Sequence, residues 1–297
     1  MVTEAAHAAD CVIFCHAGEV GGLQDVFGWD AGTTLECMNL DETVRYASYD
    51  GYDFISLIHA DTEGVDVVQR EVNVFFAKGY LVLVLPENEG MRLSRLAQGL
   101  GEAVKNGGIR TLPFLYYSIF NRLAADFSEA LEALEDGMET LSETISANSE
   151  PNQIARIVQL RKAAYTHKKL LRALSYIGGQ ILMDENHLLD KAHTRYFHRI
   201  DASLMKLYDF ADHLYAFSCE LLHIYDSRTT TRLNETMNKL TILMLFFGPL
   251  TVITGIYGMN FTHMPELELA YGYPAALAVM AMVSLSIYWA LKRKKLL

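Results

Sequence analysis

Proline and cysteine are both scarce in this sequence, and each shortage excludes something. Six prolines among 297 residues leave long tracts without the residue that most reliably stops a helix, and none lies between Pro151 and Pro249. Four cysteines (Cys11, Cys15, Cys37 and Cys219) are too few and too scattered for a disulfide framework. "CVIFCH" sets Cys11, Cys15 and His16 close together; its alternation fits a strand, with a metal site as the competing reading. The opening "MVTEAAHAAD" has no basic stretch leading into an apolar core, so no signal peptide is expected there and the soluble part should stay in a reducing cytoplasm. No glycine-rich phosphate loop follows a strand-like run, and no nucleophile motif or zinc-spaced cluster stands out. Neither an enzyme nor an organic cofactor is therefore expected. The net charge of −11 argues against a nucleic-acid surface.

Charge itself is missing in two places. Asp, Glu, Lys and Arg are all absent from Leu240 to Pro265 and again from Ala270 to Leu291. A bilayer span needs about 20 apolar residues, and Leu240–Met259 and Tyr271–Leu291 each supply one. Lys239 and the tail residues Lys292, Arg293, Lys294 and Lys295 flank the same side of the two spans, which places both termini in the cytoplasm. Tyr288 and Trp289 fall at that interface. The connecting loop, with Glu266 and Glu268, must then face outside. These features describe a multi-pass protein of the cell (inner) membrane with a large cytoplasmic part.

The residues before the spans divide by pattern. Runs at 11–17, 33–40 and 53–60 read as strands. "EVNVFFAKGYLVLVLPE" reads as two strands around Lys78-Gly79, and "RLSRLAQGLGEAVKNGG" as a helix with a glycine stop. Residues 1–110 thus form an α/β domain. Residues 111–187 read as a helical hairpin broken at "NSEPN". Its first arm carries Asp126, Glu129, Glu132, Glu135, Asp136, Glu139 and Glu143; its second carries Arg156, Arg161, Lys162, Lys168, Lys169 and Arg172. The two arms either complement each other's charge or present an acidic face that attracts divalent cations. Residues 188–259 read as one stalk helix of about 70 residues, roughly 105 Å long at ~1.5 Å per residue, continuing into the first span, with Pro249 as a kink that membrane packing tolerates. The external loop at 260–270, the second span at 271–291 and a basic tail at 292–297 complete the chain.

One stripe of the first span is unusual. Steps of three and four from Asn234 meet Met237, Thr241, Met244, Gly248, Thr251, Gly255 and Gly258, where most of the span's small or polar residues collect. Two readings remain open: close helix packing through small residues, or the lining of a pore. Two spans cannot enclose a pore, so either reading requires a homo-oligomer within the lipid bilayer. Gly258, Met259 and Asn260 close the outer end. Mg²⁺ surrenders its water reluctantly, and a ring of amide oxygens can hold the hydrated ion without stripping it. The membrane potential would drive entry with about 2.3 kcal/mol per charge per 100 mV.

At these residues the chain resembles a known family. "YGMNFTHMPEL", with a span on each side and a basic C-terminal tail, is similar to the signature loop of CorA-type magnesium transporters. The resemblance is close from Asn234 onward and architectural before it. It implies a homopentameric, funnel-shaped channel with Mg²⁺ as the transported ion and as a regulator, and Co²⁺ and Ni²⁺ as further ions. It implies that Asn260 is the outer selectivity ring, that Asn234 and Thr251 are polar rings, and that Met237 and Leu240 form a hydrophobic gate. Lys292, Arg293, Lys294 and Lys295 would be a basic collar. Two departures stand out. Gly248 occupies a place where the family often has Met, so a constriction is missing or moved to Met244. Tyr196-Phe197 is followed by His198-Arg199 where family members carry a regulatory Asp. Asp201, Asp209 and Asp212 are then the candidate regulatory carboxylates.

A zinc transporter of the same superfamily is the near rival. A softer metal would favour His or Cys in the pore, and His263, read as a loop residue, is the sole candidate. A membrane-tethered scaffold is the distant rival, and it gives no reason for Asn260 or the small and polar stripe.

Overall fold

The computed structural model describes residues 2–7, 10–39, 44–63, 66–87, 90–109, 111–147, 150–259, 264–265, 269 and 271–294. The chain divides into two compact units, Met1–Tyr225 and Asp226–Leu297.

The first unit is built on a six-stranded sheet ordered β1-β2-β6-β5-β4-β3, from β1 (Val2–His7), β2 (Asp10–His16), β3 (Arg45–Tyr49), β4 (Tyr52–Glu63), β5 (Asp66–Ala77) and β6 (Tyr80–Leu85). All neighbours are antiparallel except β2 and β6, which run parallel. Successive side chains of a strand point to opposite faces. On one face, Val12, Phe14, Ile55, Leu57, Val72, Val74, Phe76, Leu81 and Leu83 join the core that includes the helices α3 (Gly90–Lys105) and α4 (Leu112–Ala147). On the other, Ile13, Cys15, Phe54, Phe75, Val82 and Val84 pack with Leu23 of α1 (Gly21–Phe27), Cys37 of α2 (Ala31–Asn39) and Trp29 between them. A sheet buried on both faces needs near-continuous apolar strands, and "YLVLVL" of β6 is one.

The run at 33–40 is corrected: its described part is helical. Asp30 caps it, its carboxylate accepting the Thr33 N–H at 3.0 Å while its carbonyl accepts the Thr34 N–H at 3.1 Å. A cap of this kind satisfies helix-end donors and outweighs the strand preference of the Thr pair. The runs at 11–17 and 53–60 fall in β2 and β4, and Lys78-Gly79 is the turn between β5 and β6.

After α4 comes α5 (Pro151–Met183), starting with Pro at its first turn and a reciprocal cap between Glu150 and Gln153. Both helices bury residues at helical spacing, from Leu115 to Ile145 and from Ile157 to Ile181. The connector to α6 (Lys191–Tyr257) begins at Asp184, whose φ of 45° puts it in the left-handed region. Its carboxylate accepts the N–H groups of Leu188 at 2.7 Å and Leu189 at 3.2 Å. Asp190 caps α6 by accepting the His193 N–H at 2.8 Å. Up to Tyr225, α6 buries Phe197, Ile200, Leu204, Ala211, Leu214, Ser218 and Leu221.

In the second unit α6 continues with Pro249 inside it, and α7 spans Gly272–Arg293. Both are long and apolar enough to cross a membrane. Their half-buried residues recur at helical spacing: Ile242, Phe246, Pro249, Leu250 and Ile253 on α6; Ala276, Met280, Val283, Ser284, Ile287 on α7. A small cavity lined by Ile253, Ile256, Tyr257, Met264, Ala275, Ala276 and Val279 marks the seam between the two.

Candidate functional site

The stripe lies on the side of α6 that α7 leaves uncovered. Asn234, Met237, Leu240, Thr241, Met244, Gly248, Thr251 and Gly255 are all exposed in the protomer. At about 100° per residue, their mean direction is roughly 180° from that of the half-buried seam residues. The same helix therefore turns one face to α7 and leaves the opposite face exposed.

Two threonines on this stripe have their protons committed. The Thr241 hydroxyl donates to the Met237 carbonyl and the Thr251 hydroxyl to the Phe247 carbonyl, both at 2.8 Å. A hydroxyl has one proton and two lone pairs, so what these groups present outward is an acceptor. Acceptors are what the water hydrogens of a hydrated cation require. The glycines add a second observation. A Cβ built on Gly248 or Gly255 meets nothing within 4 Å, so nothing inside the protomer requires these residues to be small.

Gly258 is different. A Cβ there would lie 3.1 Å from the Thr254 carbonyl oxygen, to which the Gly258 N–H donates at 2.9 Å. Glycine thus lets the chain leave the helix closely, and Met259, donating to the Ile256 carbonyl at 3.2 Å, follows half-exposed. Asn260, His263, Glu266, Glu268 and Lys295 lie outside the described residues. Lys292, Arg293 and Lys294 are exposed at the end of α7, where cations complement the helix dipole, and Lys292 Nζ sits 5.9 Å from the Tyr288 ring centroid.

The three candidate regulatory carboxylates sit in different surroundings. Asp201 is half-buried against α5, where Gly178 leaves room for it; a Cβ on Gly178 would lie 2.8 Å from Asp201 Oδ1 and 3.3 Å from its Cα. Asp212 forms an ion pair with Lys168 of α5, which pushes the Lys168 ammonium up through that hydrogen bond. Asp209 is exposed, as is Arg199. The Gly178 approach was missed from sequence, although the Gly178-Gly179 pair inside a helical run is a signal for it.

The charged hairpin also finds partners outside itself. Asp126 of α4 meets His59 of β4, Oδ2 to Nε2 at 3.1 Å, and Lys168 of α5 reaches α6. At the other end of the domain, Cys15 is buried in β2 and burial, followed by the charge of Glu19, pushes its thiol up to about 12. Among the described residues no three His, Cys, Asp or Glu side chains gather to hold a metal ion.

Comparison with known proteins bears on the whole chain. The family model described as CorA-like Mg²⁺ transporter protein matches residues 16–293. The "Cobalt/magnesium transport protein CorA" of Thermotoga maritima is 28% identical over 277 residues, covering 91% of this chain and 78% of that one. The complete structure of the CorA magnesium transporter from Methanocaldococcus jannaschii superimposes with a TM-score of 0.82 at 21% identity, over 96% of this chain and 90% of that one. The ZntB cytoplasmic domain from Vibrio parahaemolyticus shares the fold at a TM-score of 0.63 and 11% identity, over 76% of this chain and 90% of that one.

Proposed function

The chain belongs to the CorA-like Mg²⁺ transporter family, and from that premise we propose that it is a membrane protein that carries Mg²⁺, with Co²⁺ and Ni²⁺ as further ions, down the membrane potential. The observation that supports this most is the stripe opposite α7, with its outward-accepting threonines and its two unconstrained glycines. Copies of the chain, five by resemblance, surround an axis and turn this stripe toward it. Asn234, Thr241 and Thr251 offer oxygen to the ion's water, and Met237, Leu240 and Met244 narrow the passage. Gly248 and Gly255 keep it wide. Gly258 and Met259 position the Asn260 ring that receives the hydrated ion outside, with Glu266 and Glu268 concentrating cations nearby.

Both termini face the cytoplasm at the inner membrane, where Lys292, Arg293, Lys294 and Lys295 form a collar. Of the candidate regulatory carboxylates, Asp209 and Asp212 are exposed, Asp212 in an ion pair with Lys168, while Asp201 is half-buried against Gly178. A zinc carrier would be better served by softer ligands, and the stripe holds no His or Cys. Flux of Mg²⁺, Co²⁺, Ni²⁺ and Zn²⁺ into liposomes containing the purified protein tests the reading. Asn260→Ala is expected to abolish Mg²⁺ entry, and entry at unchanged rate and selectivity would remove Asn260 from its role.

A further inference from the structure

The side of α7 turned away from α6 has a shape and a charge of its own. Met282, Leu285, Trp289 and Arg293 follow one another at steps of three and four, and with Ser286 and Lys294 they line an open groove of about 830 Å³. At about 100° per residue, the mean direction of Met282, Leu285, Ser286, Trp289 and Arg293 is roughly 145° from that of the half-buried residues Ala276, Met280, Val283, Ser284 and Ile287.

The groove is graded along its length. One end is apolar, at Met282 and Leu285. Its hydroxyl, on Ser286, donates to the Met282 carbonyl at 2.8 Å, which leaves no unmet donor in the apolar part. Trp289 follows, an amphipathic ring of the kind that favours the headgroup layer. Arg293 and Lys294, both exposed, close the other end. Lys292 stands about 100° round the helix from Arg293, with its Nζ 5.9 Å from the Tyr288 ring centroid.

Length and charge decide what fits. From Met282 to Arg293 the helix rises about 16 Å at ~1.5 Å per residue. Half of a hydrocarbon core of about 30 Å is about 15 Å, so the groove spans one leaflet and ends in cations where that leaflet's phosphates lie. A helix from a second copy would need acidic side chains to meet these cations. Neither span has one, since Asp and Glu are absent from Leu240 to Pro265 and from Ala270 to Leu291.

On the reading above, in which the α6 stripe faces an axis and α7 spans the membrane outside it with its basic end in the cytoplasm, we propose that this groove binds one anionic phospholipid of the cytoplasmic leaflet. An acyl chain lies along Met282 and Leu285, and the phosphate meets Arg293 and Lys294. The guanidinium fork matches phosphate oxygens bidentately, and the ammonium adds a second positive charge. A zwitterionic headgroup brings its own cation to the same place and is disfavoured.

Trp289 reports on the groove directly. It is one of two tryptophans, and the other, Trp29, is 4% exposed inside the first unit. The full-length protein is reconstituted in vesicles with brominated acyl chains, carried by phosphatidylglycerol in one arm and by phosphatidylcholine in the other. Fluorescence quenching then gives the relative affinity of the two lipids. A basic residue near an anionic lipid surface is worth about fivefold in binding. Wild type is therefore expected to prefer phosphatidylglycerol by about fivefold or more, and Trp289→Phe to lose the quenching. Arg293→Ala combined with Lys294→Ala should bring the preference close to unity, while Lys292→Ala should leave most of it. Equal quenching by both lipids in wild type would overturn the site. Equal losses from Lys292→Ala and Arg293→Ala, the mark of diffuse surface charge, would do the same. Quenching by neither lipid would show that a protein neighbour covers the groove. Mg²⁺ entry measured in the same vesicles keeps the two readings apart: flux together with equal quenching sinks the lipid site and leaves transport standing.

Discussion

Replacing Gly248 with leucine separates a residue that is small for the ion path from one that is small for helix packing. In the protomer an added Cβ meets nothing within 4 Å, so the substitution carries no overpacking cost there. Leucine is also the better helix former, by about 0.7 kcal/mol. The folded protomer should therefore be as stable as before or slightly more so. In the assembled ring each subunit would add one isobutyl group to the axis, and apolar constrictions block ions by dewetting. A tenfold fall in flux corresponds to about 1.4 kcal/mol on the barrier, a modest demand for a ring of leucines facing a hydrated divalent ion. The expected result is Mg²⁺ flux into liposomes reduced at least tenfold, with unchanged thermal unfolding and an unchanged oligomer by size-exclusion chromatography. Wild-type flux would show that Gly248 faces away from the path. Loss of the oligomer or a clear drop in Tm would show that the space is filled by a neighbouring helix instead.

Gly178→Ala should destabilise the first unit, because the new methyl presses on the Asp201 backbone at 3.3 Å. Overpacking costs about 1–3 kcal/mol against about 1 kcal/mol gained in helix propensity, so a net loss of about 1 kcal/mol should appear as a lower Tm; an unchanged or higher Tm would refute the close approach. His167 is buried edge-on to Phe127, and burial holds its imidazole down at about 4 against an ordinary 6.5. The folded state then binds this proton more weakly than the unfolded one. Its contribution is fully present above pH 6.5 and lost as pH falls toward 4, by an amount on the order of 3 kcal/mol. His167→Gln should flatten that part of the pH profile of thermal unfolding, and an identical slope in the variant would contradict the assignment.

Much of the fold was legible because it is written in local periodicity. The α4–α5 hairpin and α6 repeat apolar residues at three- and four-residue intervals, and β5 and β6 flank a Lys-Gly turn. β1 and β3 were not read. For β3 the signal was present, since Asp50-Gly51 is a strong hairpin dipeptide and Gly51 adopts the positive φ it requires. The segment at 33–40 misled because two β-branched threonines look like strand until Asp30 is recognised as their cap.

The sequence by itself determined the two uncharged spans, the polar and small stripe along the first and the basic tail, since these depend only on which residues follow one another at what interval. Contacts across long stretches of chain lay beyond it. That α7 covers the side of α6 opposite the stripe, that Asp201 and Asp212 are engaged by Gly178 and Lys168, and that Asn186 reaches a hairpin more than 130 residues earlier were decided only by tertiary structure. Periodicity says which face of a helix differs from the rest, and packing says what that face meets.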